Sequence, residues 1–325
     1  MRGLSKSGLG VAFALALCPC TAREARAQES VMRLDTPTGA LHGTLLLPAS
    51  ARPPMPVALI IAGSGPTDRD GNSPMLPGKN NGLLMVAEAL AARGVASLRY
   101  DKRGIGASMA AMRREQDLRF PTYSDDAAAW IEQLAGDPRF SKVLVVGHSE
   151  GSLLGILAAQ RGNVAGVISL AGPGRPIAEV LGEQLPTFLG AGALLDESRR
   201  IMASLMAGTT VDTVPAGLMM LFRPSVQPYM ISWLGIDPAR EVAKLDVPVL
   251  VVQGSTDIQV SLLDGERLAN HGKNATLVTV DGMNHVLKEV REPAKQVASY
   301  SDPALGLHPG MVEALNGFVD RIARP

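Results

Sequence analysis

The sequence of 325 residues predicts a doubly wound α/β fold, in which helices cover both faces of a mostly parallel sheet. Three observations predict it. Short apolar runs such as 57–62 (VALIIA) and 142–146 (KVLVV) show no alternation of polar residues, which is typical of strands buried on both faces. Amphipathic stretches of helical length separate these runs. The alternation is broken only once, over 173–240.

The elements follow one another from residue 57 onward. The predicted strands are 57–62, 95–100, 142–146, 164–170, 247–252 and 275–280. The predicted helices are 83–93, 125–134, 152–160, 262–270 and 311–322. Ser124 is the expected N-cap of the second helix. The stretch 39–47, which ends before Pro48, predicts an antiparallel hairpin at the sheet edge.

Residues 173–240 contain seven prolines and five methionines, a composition of short helices with adaptable apolar side chains. A structureless loop of this length is improbable inside a compact domain. We expect a helical cap inserted between core strands, so that the core consists of 28–172 and 241–325. A purely structural excursion is the alternative, because methionine stripes are more often core than pocket.

The first 27 residues are typical of a secretory signal peptide. Arg2 and Lys6 precede the apolar stretch 9–17, and Ala25-Arg26-Ala27 is a small-residue cleavage signal. The alternative is a short N-terminal core helix. Both cysteines lie in this segment, so cleavage after Ala27 leaves a mature chain without thiols or disulfides. The protein is expected to be exported, either periplasmic or secreted.

Charge and hydropathy speak against nucleic-acid binding and against a membrane span. Lys and Arg number 31 against 31 Asp and Glu, and no basic stripe is present, so nucleic acid is an unexpected partner. No apolar run reaches the roughly 18 residues that a membrane span needs. The oligomeric state stays open.

The segment 147–151 (GHSEG) follows a predicted strand directly and opens a predicted helix. This is the G-x-S-x-G nucleophile elbow in its proper context, with Ser149 as the nucleophile. The alternative is an idle serine in a glycine-rich turn. His285, in a loop beyond strand 275–280, is the expected base by position and by elimination. His148 is eliminated because its side chain, next to the nucleophile, should point elsewhere.

A histidine base needs a carboxylate that fixes its tautomer. Asp257 follows strand 247–252 at its carboxyl end, and the order Ser149, Asp257, His285 is the order of this class of hydrolase. Asp281 is a rival, although it precedes His285 by only four residues. The oxyanion donors are expected to be the backbone N–H of Glu150 and that of Ser64, with Gly65 as the alternative to Ser64.

These residues resemble the α/β-hydrolase superfamily over 39–322. The segments 63–72 (GSGPTDRDGN), 100–108 (YDKRGIGAS), 147–151, 253–260 (QGSTDIQV) and 282–288 (GMNHVLK) are similar to exported bacterial esterases related to serine aminopeptidase-like and acyl-thioesterase-like hydrolases. The resemblance implies a serine hydrolase with a cap between strands and with neither a metal nor an organic cofactor. The sequence departs from the commoner His-Gly oxyanion signature, since it has Ala62-Gly63.

The expected activity is hydrolysis of carboxylic esters of small or medium acyl groups. A serine aminopeptidase would need an anionic subsite for the substrate amine, which Glu179 or Glu183 could supply, and an acyl thioesterase would share the same triad. An exported binding protein without catalysis is the alternative of another class. Asp101 and Arg103 are expected to brace loops near the site through ion pairs.

Overall fold

The computed structural model describes residues 27–49 and 52–323. The expected signal peptide, apart from Ala27, lies outside the described residues. Within the described part, no helix is both long enough and apolar enough to cross a membrane.

In the described part of the chain, eight strands form a single sheet in the order β1-β2-β4-β3-β5-β6-β7-β8. Their bounds are β1 Gln28–Thr36, β2 Gly39–Leu47, β3 Met55–Ile61, β4 Ala96–Tyr100, β5 Phe140–His148, β6 Gly166–Leu170, β7 Val249–Gly254 and β8 Ala275–Val280. The pairs β1/β2 and β2/β4 are antiparallel, and every other neighbouring pair is parallel. The expected edge hairpin is therefore present, with β1 as the partner strand of β2.

Helices lie between and after these strands. Their bounds are α1 Gly82–Ala92, α2 Phe120–Ala135, α3 Glu150–Ala159, α4 Ile177–Leu189, α5 Ala193–Met206, α6 Met219–Phe222, α7 Gln227–Leu234, α8 Pro238–Val242, α9 Leu262–His271, α10 Gln296–Ser299 and α11 Pro309–Ala323. Helices α4 to α8 all fall between β6 and β7; α4 to α7 lie within the segment 173–240, where the alternation of the sequence is broken, and α8 crosses its end.

The central strands are buried on both faces, as their apolar sequences predict. In β3, Leu59 and Ile61 belong to one apolar core, whereas Ala58 and Ile60 belong to a second core on the opposite face. Helices α2 and α3 contribute to the first core, and α1 and α11 contribute to the second. This arrangement is a doubly wound sheet, so the predicted fold class is confirmed.

The start of α2 differs from the prediction. The helix begins at Phe120, so Ser124 lies inside it and its hydroxyl donates to the carbonyl of Pro121 at 2.9 Å. The first N–H of the helix, that of Phe120, instead donates to the hydroxyl of Ser232 on α7 at 2.8 Å. The aromatic ring of Phe120 also stacks on Trp233 of α7, with ring centroids 5.1 Å apart. A tertiary contact therefore fixes this helix end, and a local capping pattern cannot reveal it.

Candidate active site

Ser149 lies in the sharp turn between β5 and α3. Its backbone has φ 54° and ψ −124°, a conformation that side chains rarely adopt, and its N–H donates to the carbonyl of Leu170 on β6 at 2.9 Å. A Cβ on Gly147 would lie 2.2 Å from the carbonyl oxygen of Gly151, and one on Gly151 would lie 2.2 Å from that of Ile61. Glycine is therefore required on both sides of the serine. The turn leaves the Ser149 side chain partly exposed at the carboxyl edge of the sheet.

His285 and Asp257 meet at this same edge. The Nδ1 atom of His285 lies 2.8 Å from Oδ2 of Asp257, and both side chains are buried. The other carboxylate oxygen of Asp257 accepts the backbone N–H groups of Gln259 and Val260, at 2.8 and 3.0 Å. One oxygen is thus held by its own loop, and the other faces the imidazole.

Asp281, the rival partner of His285, points elsewhere. Its carboxylate accepts a hydrogen bond from Ser255 at 3.0 Å and pairs with Arg291 at 2.5 Å, and its side chain is exposed. The Arg291 guanidinium lowers the pKa of this carboxyl, with Ser255 contributing less. Asp281 therefore stabilises the surface of the loop that precedes the histidine.

The side chain of His148 is directed at the loop of His285, and no hydrogen bond joins it to Ser149 among the described residues. Its Nε2 lies 2.8 Å from the carbonyl oxygen of His285, and the two imidazole centroids are 5.0 Å apart. Burial, with the neighbouring His285 ring second, lowers the pKa of His148 to about 4. The imidazole is therefore neutral near pH 7, and its Nε2–H donates to the carbonyl. This bond holds the His285 loop against the elbow.

The loop after β3 lies directly against the elbow. A Cβ on Gly63 would be 3.2 Å from Cβ of Ser149 and 3.4 Å from Nδ1 of His148, so a larger residue would crowd both. Ser64 and Gly65 are exposed, and Gly65 has a positive φ of 69°. The two expected oxyanion residues, Ser64 and Glu150, thus flank the serine, on the β3 loop and at the start of α3.

The side chain of Glu150 is buried although the sequence suggested a role only for its backbone. Its carboxylate pairs with Lys102, a buried residue of the segment 100–108 for which the sequence suggested no separate role. The sequence does carry a signal for this pair. A glutamate directly after Ser149, at the first residue of a buried helix, has to be compensated by a nearby cation.

The ion pairs expected for Asp101 and Arg103 are present. Asp101 pairs with Arg69 at 2.6 Å and also accepts two backbone N–H groups, so it ties the loop after β3 to the loop after β4. Arg103 pairs with Asp126 of α2 at 2.5 Å. Both arginines therefore brace loops next to the site.

A groove of about 470 Å³ opens beside the β3 loop, starting two residues after Ser64. Its walls are mainly apolar. The lining residues come from two loops: Pro66, Asp68, Asn72, Ser73, Pro74, Leu76, Pro77, Gly78, Lys79, Gly104, Ile105, Gly106 and Met109. Across residues 27–49 and 52–323, no cluster of His, Cys, Asp and Glu is arranged to hold a metal ion.

The family described as serine aminopeptidase, S33, matches residues 81–211, which include Ser149 but neither Asp257 nor His285. Esterase EstD of Thermotoga maritima is 27% identical over 266 residues, and the match covers 80% of this chain and 61% of EstD. This chain therefore spans about three fifths of the length of that curated relative.

Several solved structures are similar over most of this chain. Est1E of Butyrivibrio proteoclasticus has a TM-score of 0.60 and 21% identity, covering 90% of this chain and 98% of Est1E. Est1E with bound ferulic acid has a TM-score of 0.61 and 22% identity, covering 90% and 100%. XC6422 of Xanthomonas campestris, an α/β serine hydrolase without a lid, has a TM-score of 0.52 and 19% identity, covering 92% of this chain and 96% of XC6422. The chain has the α/β-hydrolase fold.

Proposed function

We propose that the protein is a serine hydrolase that cleaves carboxylic esters of small or medium acyl groups. The hydrogen bond between His285 and Asp257, on a loop held against the Ser149 elbow, is the observation that carries the proposal. It orients the imidazole with Nδ1–H toward the carboxylate, which leaves Nε2 as the basic atom. The similarity to an esterase over 80% of the chain supports the same reaction class.

The reaction proceeds in two acyl-transfer steps. His285 Nε2 takes the proton of the Ser149 hydroxyl as its oxygen attacks the ester carbonyl, and the N–H groups of Ser64 and Glu150 stabilise the oxyanion. The imidazolium then protonates the departing alcohol, and the acyl group stays on Ser149. Water, deprotonated by the same imidazole, releases the acid and restores the serine. Asp257 keeps its negative charge throughout and stabilises the imidazolium.

One of the two carboxylates considered for an amine-binding subsite is engaged in an ion pair. An aminopeptidase needs an uncompensated carboxylate for the substrate amine, but Glu183 is paired with Arg175 at 2.5 Å, and Arg175 also pairs with Asp264 at 2.9 Å. The Arg175 guanidinium lowers the pKa of Glu183. Glu179 is exposed. Glu179 is therefore the carboxylate that an aminopeptidase would use, and the arylamide assay decides between the two activities.

The test is hydrolysis of p-nitrophenyl esters from acetate to palmitate, beside alanine p-nitroanilide. Wild type is expected to cleave the short esters, and Ser149→Ala to lose about 10⁶-fold in kcat. Ser204→Ala, on α5, is the matched control and should keep wild-type rates. Ester turnover that survives in Ser149→Ala would refute the proposal. Arylamide cleavage with little ester turnover would make the protein an aminopeptidase instead.

The segment 173–240 is proposed to act as a cap over the site. Two contacts support this. Tyr229 of α7 donates to the Glu150 carboxylate at 3.0 Å, and Gln184 of α4 donates to the carbonyl of Gln259, next to the Asp257 loop, at 2.7 Å. Exchange of cap residues along α4 and α7 should therefore shift the acyl-length profile of the ester series without abolishing reaction of Ser149 with a fluorophosphonate.

Export through residues 1–27 is proposed from the order of positive charge, apolar run and Ala-x-Ala signal. Expression of the full chain in a bacterium, followed by N-terminal sequencing of the protein outside the cytoplasm, tests it. A chain that starts at Gln28 is expected. A cytoplasmic chain that retains residue 1 would overturn it.

A further inference from the structure

Lys102 connects three parts of the fold beneath the elbow. It follows β4 by two residues and is only 1% exposed. Its ammonium donates to the carbonyl oxygen of Gly63 at 2.5 Å and to Oε1 of Glu150 at 2.7 Å. Tyr229 of α7 donates to the other oxygen of the same carboxylate at 3.0 Å. All four groups are buried, so water does not compete for these bonds.

The bond to Gly63 determines where the N–H of Ser64 points. The carbonyl of Gly63 and the N–H of Ser64 belong to one planar trans peptide, in which the two groups point in opposite directions. An ammonium that holds the carbonyl therefore also fixes the N–H on the far side of the peptide. The bond is charge-assisted, and it polarises the peptide so that its N–H becomes a stronger donor.

That N–H is available for a substrate. Among the residues that the structure describes, it has no hydrogen-bond partner. Its neighbour Gly63 lies against Ser149, close enough that a Cβ there would be 3.2 Å from the serine Cβ. A free donor of fixed direction beside a nucleophile is what an oxyanion requires.

The second donor is held by the same ammonium. Glu150 is the first residue of α3, and the first N–H groups of a helix have no acceptor within the helix. Lys102 and Tyr229 bind both oxygens of the Glu150 side chain, so they fix the start of the helix and with it the direction of the Glu150 N–H. One cation thus links both residues that were assigned to the oxyanion hole.

We propose that Lys102 is a positioning residue that aligns the two oxyanion donors, the N–H groups of Ser64 and Glu150. The proposal rests on the proposed ester hydrolysis. Lys102 does not touch the substrate and transfers no proton. It contributes by holding two peptide units at the angles that the tetrahedral intermediate needs, and its charge is balanced by Glu150.

Stability cannot separate this role from that of an ordinary buried ion pair, because breaking either kind is destabilising. The two roles differ in their effect on the affinity for an inhibitor that forms a tetrahedral adduct with the serine. The variants are Lys102→Met and the double variant Lys102→Met with Glu150→Gln, which leaves no unpaired charge and keeps the chain foldable. For each, kcat and KM for p-nitrophenyl acetate, Ki for an alkyl trifluoromethyl ketone, and Tm are measured.

Both variants are expected to lose about 10- to 100-fold in kcat, with KM within about threefold of wild type, since removal of a whole oxyanion donor costs about 10²- to 10³-fold. Ki for the ketone should rise by the same factor as kcat/KM falls. Arg103→Met is the matched control: it breaks a neighbouring buried ion pair, with Asp126, that touches neither oxyanion residue. It should lower Tm and leave kcat within about twofold.

Wild-type kcat and Ki in the folded double variant would overturn the proposal. An equally large fall of kcat and rise of Ki in Arg103→Met would overturn it as well. Failure of the proposed function looks different, because wild type itself would then show no turnover that depends on Ser149. With an active wild type, the variants report on Lys102 alone.

Discussion

Replacement of His148 by glutamine tests the electrostatics of the site through protein stability. The native imidazole is neutral and donates through Nε2 to the carbonyl of His285. Its pKa is lowered to about 4, chiefly by burial and next by His285, whereas a histidine in the unfolded chain titrates near 6.5. Glutamine carries an amide N–H at a similar reach and does not titrate, so it keeps the donor and removes the proton uptake.

The magnitude follows from the gap between the two pKa values. Between pH 6.5 and about pH 4 only the unfolded chain binds the proton, so the free energy of unfolding falls as the pH falls. Each pH unit costs about 1.4 kcal/mol. The contribution of neutral His148 is complete above pH 6.5 and is lost over this window, which amounts to about 3 kcal/mol in all.

Urea denaturation at intervals from pH 8 to pH 4 measures this contribution. Wild type should lose about 3 kcal/mol more than His148→Gln over that range. His271→Asn, which removes an exposed histidine at the end of α9, is the control and should follow wild type. A difference between wild type and His148→Gln that stays constant from pH 8 to pH 4 would refute the reasoning.

Three further predictions concern single side chains. Asp257→Asn should lower kcat about 10⁴-fold, because asparagine disfavours the imidazole tautomer that acts as the base. Asp281→Asn should leave ester turnover within about twofold of wild type. The reverse pattern in the ester assay would assign the orienting role to Asp281. Burial lowers the pKa of Lys288 to about 8 from 10.5, so the free energy of unfolding should rise as pH increases from 8 to 10.5. Lys288→Met should therefore raise the free energy of unfolding by about 2 to 3 kcal/mol over wild type at pH 7, and the difference should vanish by pH 10.5. Urea denaturation measures this, and equal stability of the two proteins at pH 7 contradicts the prediction. Gly151→Ala should cost about 3 kcal/mol because its methyl group meets a backbone carbonyl of β3 at 2.2 Å, whereas Gly182→Ala, in open space on α4, should gain about 0.5 to 1 kcal/mol, and thermal denaturation ranks the two.

The sequence could predict the parts of the site that depend on local pattern and strand direction. The motif around Ser149 needs only a strand, two glycines and a helix. Asp257 and His285 each follow a strand whose carboxyl end reaches the same sheet edge, so their proximity follows from parallel topology. Their roles as catalytic residues stay predictions, while their contact is a property of the structure.

Contacts between distant segments could not be predicted in this way. The start of α2 is set by Ser232, 112 residues away, and no capping signal at Phe120 reports it. The contact of His148 with the His285 carbonyl is of the same kind, because the direction of a side chain in a strained turn depends on what packs against it. Local sequence pattern therefore locates the candidate reactive residues better than the residues that hold them in position.

The residue after the nucleophile illustrates how a support can be inferred from energetics. A buried carboxylate needs a cation and further donors, because burial of an isolated charge is too costly. Glu150 has both, and its second donor, Tyr229, comes from the helical segment between β6 and β7. Displacement of α7 would therefore leave one oxygen of a buried carboxylate without its partner, directly behind a proposed oxyanion donor. Movement of this segment and the alignment of the proposed oxyanion hole are thus expected to be coupled, and Tyr229→Phe would isolate that coupling by removing a single hydroxyl.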